Sequence, residues 1–369
     1  MRYRPSSPVP VLRSAPRFAL GLLCALALAA LVPSSAAAAK ASGLRCEELS
    51  FDVTLSPSDA TVYNVFGVLC ARGSIHNKTI QIALHGATYS HTYWDWPYQP
   101  QLYSYVRSAT AAGYAVLDLD RIGIGQSDRP PAAAVTIGSN AYVVHQIVQA
   151  LRGGDLVVHS FGRIRAERVA LVGHSLGSLI SIQEAATYGD VDGVALTGIS
   201  HTITPILGDT LSTLYPANLD PHFSGQSIPD GYLTSLPGHR DVFYHAPFFD
   251  PVVLAIDENT KETVTTAELD TAVPALGLST GIHVPVLVVV GDYDAAFCNP
   301  PTCSASGSLA TEPSFYAPDA CTETAAIPGS GHDLNLHFQA PLAYAAVLNW
   351  MDRRVGRNPN AAPPQPCQP

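Results

Sequence analysis

Residues 169–180 read VALVGHSLGSLI. An unbroken apolar run leads into a G-x-S-x-G motif, and a segment with helical patterning, residues 176–188, follows it. A G-x-S-x-G motif between a strand and a helix is typical of a tight turn that exposes its serine at the carboxyl end of the strand. Gly173 and Gly177 lack the side chains that would obstruct such a turn. Ser175 is therefore a candidate nucleophile, although the motif alone also fits a glycine-rich turn without chemistry.

Candidate partners for this serine lie farther along the chain. A serine becomes an effective nucleophile when a base removes its proton and a third group orients that base. The apolar segment 286–290 ends in an acidic turn that contains Asp292 and Asp294, and a later glycine-rich loop contains His332. The order serine, acid, histidine therefore occurs along the chain, with two candidates for the acid.

Apolar segments that predict strands alternate with segments that predict helices. The strand segments are residues 62–69, 79–84, 114–119, 168–172, 194–199, 286–290 and 322–327. The helix segments are residues 101–112, 142–151, 176–188 and 341–353. Continuously apolar strands are typical of parallel sheets that are covered on both faces. The sequence therefore predicts an α/β fold with a mostly parallel central sheet of about eight strands and helices on both faces.

One long segment, residues 202–270, lacks this alternation. It is rich in proline, histidine, aspartate and aromatic residues. A segment of this length without a regular pattern is either a functional insertion or disordered, and its many aromatic residues favour order. We therefore expect an inserted cap that lies over the sheet. The alternative is a further packing layer without a functional role.

The first 39 residues have the three parts of a secretory signal peptide. Four arginines precede an apolar run, residues 18–32, and small residues follow it at 34–39, with no acidic residue in the whole stretch. The apolar run is shorter than the roughly 20 residues that span a bilayer. We therefore expect a cleaved leader over residues 1–39 and no stable membrane anchor. The rest of the chain, residues 40–369, would be one secreted domain, extracellular or periplasmic, that includes the cap.

If the protein is exported, its remaining cysteines are expected to form disulfides, because an even number of cysteines in an oxidising compartment indicates such bonds. Six cysteines follow residue 39. Cys46 and Cys70 flank the predicted N-terminal strands, so we expect them to pair, and the other four are left unassigned. The chain has no C-x-x-C pair and no cysteine beside a histidine at zinc-finger spacing, so we expect no metal site.

The composition excludes one class of partner. Only 14% of the 369 residues are charged, against roughly 25% in ordinary soluble domains. The chain carries 30 acidic and 20 basic residues, which gives a net charge of −10. A protein that binds nucleic acid needs a basic face that displaces counterions from phosphates. We therefore expect no nucleic acid as a partner.

The motifs together resemble the α/β-hydrolase superfamily. In that family one strand ends in His-Gly, as at His85-Gly86, and the next strand leads into D-x-x-G-x-G-x-S, as at residues 120–127. The nucleophile, the acid and the histidine follow in that chain order. The resemblance covers the chain from about residue 51 to about residue 353, apart from the cap.

The resemblance implies a role for each site residue. Ser175 would be the nucleophile, and His332 the general base and then the general acid. Asp294 would orient the histidine, because the family places this acid last in its G-x-x-D turn. The backbone N–H groups of Leu176 and Ala87 would form the oxyanion hole.

The function implied is that of a secreted serine hydrolase, similar to carboxylesterases, that cleaves a carboxylic ester or lactone without a cofactor. The substrate would be a small-molecule or lipid-like ester, because the predicted cap is aromatic rather than charged. Amidase, perhydrolase and hydroxynitrile-lyase activities use the same triad and stay open as alternatives, as does a non-catalytic binding protein on the same fold. Serine stands where the epoxide hydrolases and haloalkane dehalogenases of this fold carry aspartate.

Overall fold

The computed structural model describes residues 43–299 and 303–358. The predicted leader, residues 1–39, lies outside the described residues, and so does Cys367. Among the helices of the described ranges, none has both the length and the apolar character needed to cross a membrane.

Thirteen strands and eight α-helices lie in the described ranges. The strands are β1 (Leu44–Val53), β2 (Tyr63–Arg72), β3 (Ile80–Leu84), β4 (Ala115–Leu119), β5 (Val157–Val158), β6 (Gly162–Arg163), β7 (Val169–His174), β8 (Val194–Thr197), β9 (Leu214–Pro216), β10 (Tyr232–Ser235), β11 (Val264–Thr265), β12 (Val286–Gly291) and β13 (Glu323–Ile327). The helices are α1 (Pro100–Tyr103), α2 (Tyr105–Ala111), α3 (Ile137–Gly153), α4 (Leu176–Tyr188), α5 (Pro205–Ser212), α6 (Pro251–Asn259), α7 (Thr266–Leu276) and α8 (Ala340–Arg354).

Eight of the strands form one sheet in the order β1-β2-β4-β3-β7-β8-β12-β13. Strand β2 is antiparallel to β1 and β4, and every other neighbouring pair is parallel. The strands β3, β4, β7, β8 and β12 are buried along their whole length, because helices cover both faces of the sheet. The predicted α/β class and the mostly parallel sheet of about eight strands are confirmed.

Two apolar layers join the helices to the sheet. On one face, α3 and α4 pack in a cluster with Ile82 and Leu171, and on the other face α2 and α8 pack in a cluster with Ala83 and Val172. Neighbouring residues of a strand point to opposite faces, so each central strand contributes to both layers. The central strands appear as continuous apolar runs in the sequence because their side chains are buried on both faces of the sheet.

The structure departs from the predicted elements in two places. The predicted helix 101–112 is divided at Ser104, whose backbone is extended and whose side chain accepts a hydrogen bond from the N–H of Arg107 in α2. No strand is predicted before residue 62, whereas β1 lies there and pairs with β2. Most residues of β1 are partly or fully exposed, so no apolar run marks this edge strand.

Two disulfides have both cysteines in the described ranges. Cys46 and Cys70 lie opposite each other on β1 and β2 and are bonded, which is the pairing expected from the sequence. A second disulfide joins Cys298 and Cys303 in the segment after β12. The first of these bonds joins the edge strand covalently to the sheet.

The segment predicted to be a cap lies between β8 and β12. It contains α5, α6 and a three-stranded sheet of its own in the order β11-β10-β9. A small apolar cluster that includes Phe223 and Tyr232 is buried there. Helix α7 begins at Thr266 and packs against α3 and α4, so the last residues of the predicted range 202–270 belong to a helical layer of the sheet. We refer to residues 202–265, which lie outside the eight-stranded sheet, as the inserted segment.

Candidate active site

Ser175 lies in the turn between β7 and α4, with a φ of 51° that few residues other than glycine adopt. Such a conformation costs about 1–3 kcal/mol and persists only where the surrounding structure holds it. A Cβ atom at Gly173 would lie 2.6 Å from the backbone of Ser178. A Cβ atom at Gly177 would overlap the carbonyl oxygen of Leu84 in β3. The two glycines thus let α4 approach the sheet closely enough to present the Ser175 hydroxyl at the sheet edge.

His332 lies beside this hydroxyl, on the loop that follows β13. Its Nε2 is 2.9 Å from Ser175 Oγ, and its Nδ1 is 2.9 Å from Asp294 Oδ2. Asp294 is fully buried, and its other carboxylate oxygen accepts hydrogen bonds from the N–H groups of Ala296 and Phe297. These bonds fix the carboxylate so that it faces the imidazole. The three predicted side chains are therefore connected through His332, which contacts Ser175 with one ring nitrogen and Asp294 with the other.

The structure also distinguishes the two candidate acids. Asp292 Oδ1 accepts a 2.7 Å hydrogen bond from the N–H of Gly329, and this bond ties the turn after β12 to the loop that carries His332. Asp294, two residues later, makes the contact with the imidazole. The carboxylate placed against His332 is therefore Asp294, as the family resemblance implies.

Opposing effects act on the pKa of His332. Burial of the ring lowers the pKa, because the imidazolium loses its hydration. The charge of Asp294, its hydrogen bond to Nδ1 and the charge of Asp333 favour the imidazolium, and together they raise the pKa above the usual 6.5. The ring can therefore take a proton from Ser175 and hold it beside a stabilising carboxylate.

His174, the neighbour of Ser175 in the sequence, is not placed as a base. Its ring is fully buried, and this burial, followed by the charge of His332, lowers its pKa well below 6.5. Its Nδ1 faces Thr197 Oγ1 at 3.2 Å and its Nε2 faces Asp333 Oδ1 at 3.2 Å. Both ring nitrogens are thus occupied by groups other than the serine.

The predicted oxyanion donors belong to two segments that adjoin Ser175. Leu176 is the first residue of α4, where the N–H groups of a helix point outward along its axis. A Cβ atom at Gly86 would lie 3.2 Å from Ser175 Cβ, so the chain after β3 passes directly beside the serine. In the described parts of the chain, the N–H of Ala87 has no hydrogen-bond acceptor. Ala87 lines the same pocket as Ser175 and can offer this N–H to an oxyanion.

A pocket of about 750 Å³, part of it open to solvent, leads to Ser175. The inserted segment supplies its apolar wall through Ile206, Leu207, Leu211, Leu214, Val242 and Phe243. It also supplies four polar side chains, those of Thr210, Thr213, Ser235 and His239. No aspartate, glutamate, lysine or arginine of the inserted segment lines this pocket. The wall can therefore accept an apolar or aromatic group without burying a charge.

A buried network joins the inserted segment to the loop after β13. Arg240 Nε lies 2.8 Å from Asp257 Oδ1, and both side chains are fully buried. The Tyr89 hydroxyl donates a hydrogen bond to Asp333 and lies 3.0 Å from Asp257 Oδ2. Asp333 in turn meets His174. The sequence alone does not identify Arg240 and Asp257, because no local motif distinguishes them from exposed charged residues.

Comparison with known proteins assigns a family to this arrangement. The model of the alpha/beta hydrolase family matches residues 82–347. A search of curated protein sequences found no match.

Solved structures with the same fold have low sequence identity to this chain. Bromoperoxidase from Bacillus anthracis is 17% identical, with a TM-score of 0.54 over 82% of this chain and 99% of its own. The thermophilic esterase from Thermogutta terrifontis is 16% identical, with a TM-score of 0.52 over 82% of this chain and 98% of its own. The alpha/beta hydrolase GrgF from Penicillium sp. sh18 is 14% identical, with a TM-score of 0.55 over 84% of this chain and 99% of its own. These likenesses establish the fold alone. Because the family model matches most of the chain, from the strand before His85 to the last helix, this chain belongs to the alpha/beta hydrolase family.

Proposed function

We propose that this protein is a serine hydrolase that cleaves carboxylic ester or lactone bonds through an acyl-enzyme. The observation that carries the proposal is the pair of 2.9 Å contacts that runs from Ser175 Oγ through His332 to Asp294. A serine hydroxyl, a histidine with an orienting carboxylate, and backbone N–H donors are the groups that acyl transfer uses. This chemistry needs no cofactor.

Acylation begins when Ser175 Oγ attacks the carbonyl carbon of the ester. His332 Nε2 accepts the hydroxyl proton, while Asp294 accepts a hydrogen bond from Nδ1–H and so keeps the lone pair on Nε2. The carbonyl oxygen becomes an oxyanion, which accepts hydrogen bonds from the N–H groups of Ala87 and Leu176. The imidazolium then gives its proton to the leaving alkoxide as the carbonyl re-forms on Ser175.

Deacylation repeats these steps with water. His332 Nε2 removes a proton from a water molecule, whose oxygen attacks the acyl carbon, and the new oxyanion faces the same two donors. The bond to Ser175 Oγ then breaks, and this oxygen takes the proton back from His332. An ester thus yields an alcohol and a carboxylic acid, and a lactone yields one hydroxy acid.

The apolar side chains of the inserted segment favour a substrate that carries an apolar group. These side chains form an apolar wall of the pocket that contains Ser175, and we propose that the inserted segment acts as the cap of the site. Burying apolar surface against such a wall contributes roughly 25 cal/mol per Å². Small-molecule esters and lipid-like esters both carry a group that can use this contact.

Export forms the second part of the proposal. The composition of residues 1–39 and the disulfides Cys46–Cys70 and Cys298–Cys303 support an oxidising destination. Mass spectrometry of the protein recovered from the expression medium or the periplasm tests this. A recovered chain that retains residues 1–39 would contradict it.

Covalent labelling tests the proposed nucleophile. We expect a fluorophosphonate probe to form one adduct per folded chain, at Ser175, because only a serine activated by a neighbouring base reacts quickly. Peptide mass spectrometry locates the adduct. Heat-unfolded protein retains every serine and is the matched control, which should stay unlabelled. A folded protein without an adduct at Ser175 would indicate a binding protein rather than a hydrolase.

Activity should depend on pH through His332. The ring acts as a base only when it is neutral, and its pKa lies above 6.5, so kcat/KM should rise with pH through a midpoint above 6.5 and then level off. Below the midpoint the rate should fall about tenfold per pH unit. Rates for a nitrophenyl ester between about pH 5 and about pH 9, with enzyme stability checked at each pH, measure this. A constant rate from about pH 8 down to about pH 5 would exclude a histidine base.

Substitution in the pocket wall should change acyl-chain preference. Leu211→Asp places a charge where an apolar chain would bind, and we expect kcat/KM for a hexanoate or longer ester to fall about tenfold or more. The value for an acetate ester, whose acyl chain has little apolar surface to bury, should change far less. Leu219→Asp is the matched control, because Leu219 belongs to the same segment, is 70% exposed and does not line the pocket. Equal losses for short and long esters would contradict the assignment of this wall to the acyl chain.

A further inference from the structure

A second cluster of ionisable side chains lies between α3 and α4, at the opposite end of α4 from Ser175. It consists of His145 in α3, Glu184 in the last turns of α4 and Asp190 just after that helix. One potential ligand atom from each of the three residues lies within 4.8 Å of the other two. His145 Nδ1 is 2.8 Å from Asp190 Oδ2. The cluster shares no residue with the proposed active site.

Glu184 is the unusual member of this cluster. Its side chain is fully buried, and in the described parts of the chain neither of its carboxylate oxygens has a hydrogen-bond partner. Asp190 Oδ1 is also buried without a partner there. Buried carboxyl groups are normally satisfied by donors, and leaving one unsatisfied costs several kcal/mol by order of magnitude. Two such groups side by side need either a shared proton or a cation.

The guanidinium of Arg152 is not the cation that satisfies these carboxyl groups. Arg152 donates hydrogen bonds to the backbone carbonyl oxygens of Asp190 and Glu167 and to the carboxylate of Asp192. Two facing carboxyl groups therefore keep buried oxygens that a cation between them could satisfy.

We propose that His145, Glu184 and Asp190 bind a divalent transition-metal ion of the Zn²⁺ class. Ligands about 2.0–2.2 Å from a tetrahedral ion lie about 3.4 Å apart, and the potential ligand atoms here all lie within 4.8 Å of one another. Small side-chain movements therefore bring all three to bonding distance. An imidazole with two carboxylates suits Zn²⁺ better than Ca²⁺ or Mg²⁺, which prefer oxygen ligands throughout. Water would complete the coordination.

The surroundings of the cluster favour binding. The His145 ring stacks on Tyr188 with 4.1 Å between ring centroids, which limits its rotation. The side chains of His145 and Asp190 are 25% and 16% exposed, so an ion can enter from solvent. Gln149 lies one turn from His145 and donates a hydrogen bond to Asp190, which helps to hold that carboxylate in place. The bound ion would link α3 to α4, the helix whose first turn follows Ser175.

The sequence does not predict this site, because the ligands come from two separate helices. His145 and Glu184 are far apart in the chain, and neither stands in a short metal-binding motif. The site is also independent of the proposed hydrolase function, since it lies outside the Ser175 pocket.

Zn²⁺ binding to the folded, EDTA-treated protein tests the proposal. We expect calorimetric titration to show one equivalent of Zn²⁺ bound per chain at this site, and thermal unfolding to shift upward by about 5 °C at a hundred times Kd. Glu184→Gln should weaken this binding by about tenfold or more, because it removes a ligand charge. The variant should remain folded without metal, since the amide of glutamine has nearly the same size and shape as the carboxyl group that it replaces. His145→Ala should lose the same equivalent.

A matched control separates this site from adventitious surface binding. His283 pairs with Asp319 on the surface, with side chains that are 68% and 63% exposed, and His283→Ala should bind Zn²⁺ as the wild type does. The proposal is overturned if the wild type shows neither binding nor a thermal shift up to about 0.1 mM Zn²⁺, a range in which built sites saturate. It is equally overturned if Glu184→Gln and His145→Ala both bind as tightly as the wild type. Either result would leave the cluster as a pair of carboxyl groups that share a proton.

Discussion

Replacement of Ser175 with alanine is expected to lower kcat for ester hydrolysis by about 10⁴- to 10⁶-fold, with little change in KM. The variant lacks the oxygen that forms the acyl-enzyme, so only the oxyanion donors and substrate binding can still accelerate attack by water. The main chain should keep its shape, because alanine and serine meet the same strain at a φ of 51°. The loss should therefore be chemical rather than structural.

The measurement is the steady-state rate with a nitrophenyl ester, together with the pre-steady-state burst. Wild type should release a burst of one nitrophenol per chain, and Ser175→Ala should release none. Ser178→Ala is the matched control, because Ser178 Oγ bonds to the carbonyl oxygen of Thr197 rather than to the proposed catalytic residues. Its loss should reduce stability by about 1–3 kcal/mol and leave the burst intact. Equal rates for wild type and Ser175→Ala would contradict the proposed mechanism.

The central sheet and the order of the site residues could be predicted because both depend on local sequence. Strands β7 and β12 are buried on both faces, so each appears as an unbroken apolar run. Helix α4 starts and ends where its pattern predicts, at Leu176 and Tyr188. The proposed catalytic side chains follow strand ends of this sheet, so Ser175 and His332 could be located without knowledge of tertiary contacts.

Other features depend on contacts that no local pattern records. Asp292 and Asp294 share one turn, and without the family resemblance only the path of the loop after β13 shows which of them meets the histidine. The inserted segment is held by the buried ion pair of Arg240 and Asp257, two residues that are usually exposed. Strand β1 is an edge strand with many exposed residues, so its position depends on pairing with β2 and on the disulfide of Cys46.

Replacement of Asp294 with asparagine is expected to lower kcat/KM by about 10⁴-fold while the fold is retained. The amide NH₂ of asparagine can donate to Nδ1 of His332, and this favours the tautomer in which the proton is on Nε2. That nitrogen faces Ser175 Oγ at 2.9 Å and, once protonated, cannot accept the hydroxyl proton. The position of the ring would be almost unchanged, but its lone pair would be on the wrong side.

Two further measurements separate this effect from a loss of structure. The charge of Asp294 raises the pKa of His332, so the residual activity of Asp294→Asn should have its acid limb at lower pH than wild type. Asp292→Asn is the matched control, because the asparagine Oδ1 can still accept the hydrogen bond from the N–H of Gly329. We expect this control to retain kcat/KM within about threefold, since an equivalent hydrogen bond replaces the original one. If kcat/KM fell more in Asp292→Asn than in Asp294→Asn, the result would assign the orienting role to Asp292. It would then contradict the role inferred from the contact of Asp294 with the imidazole.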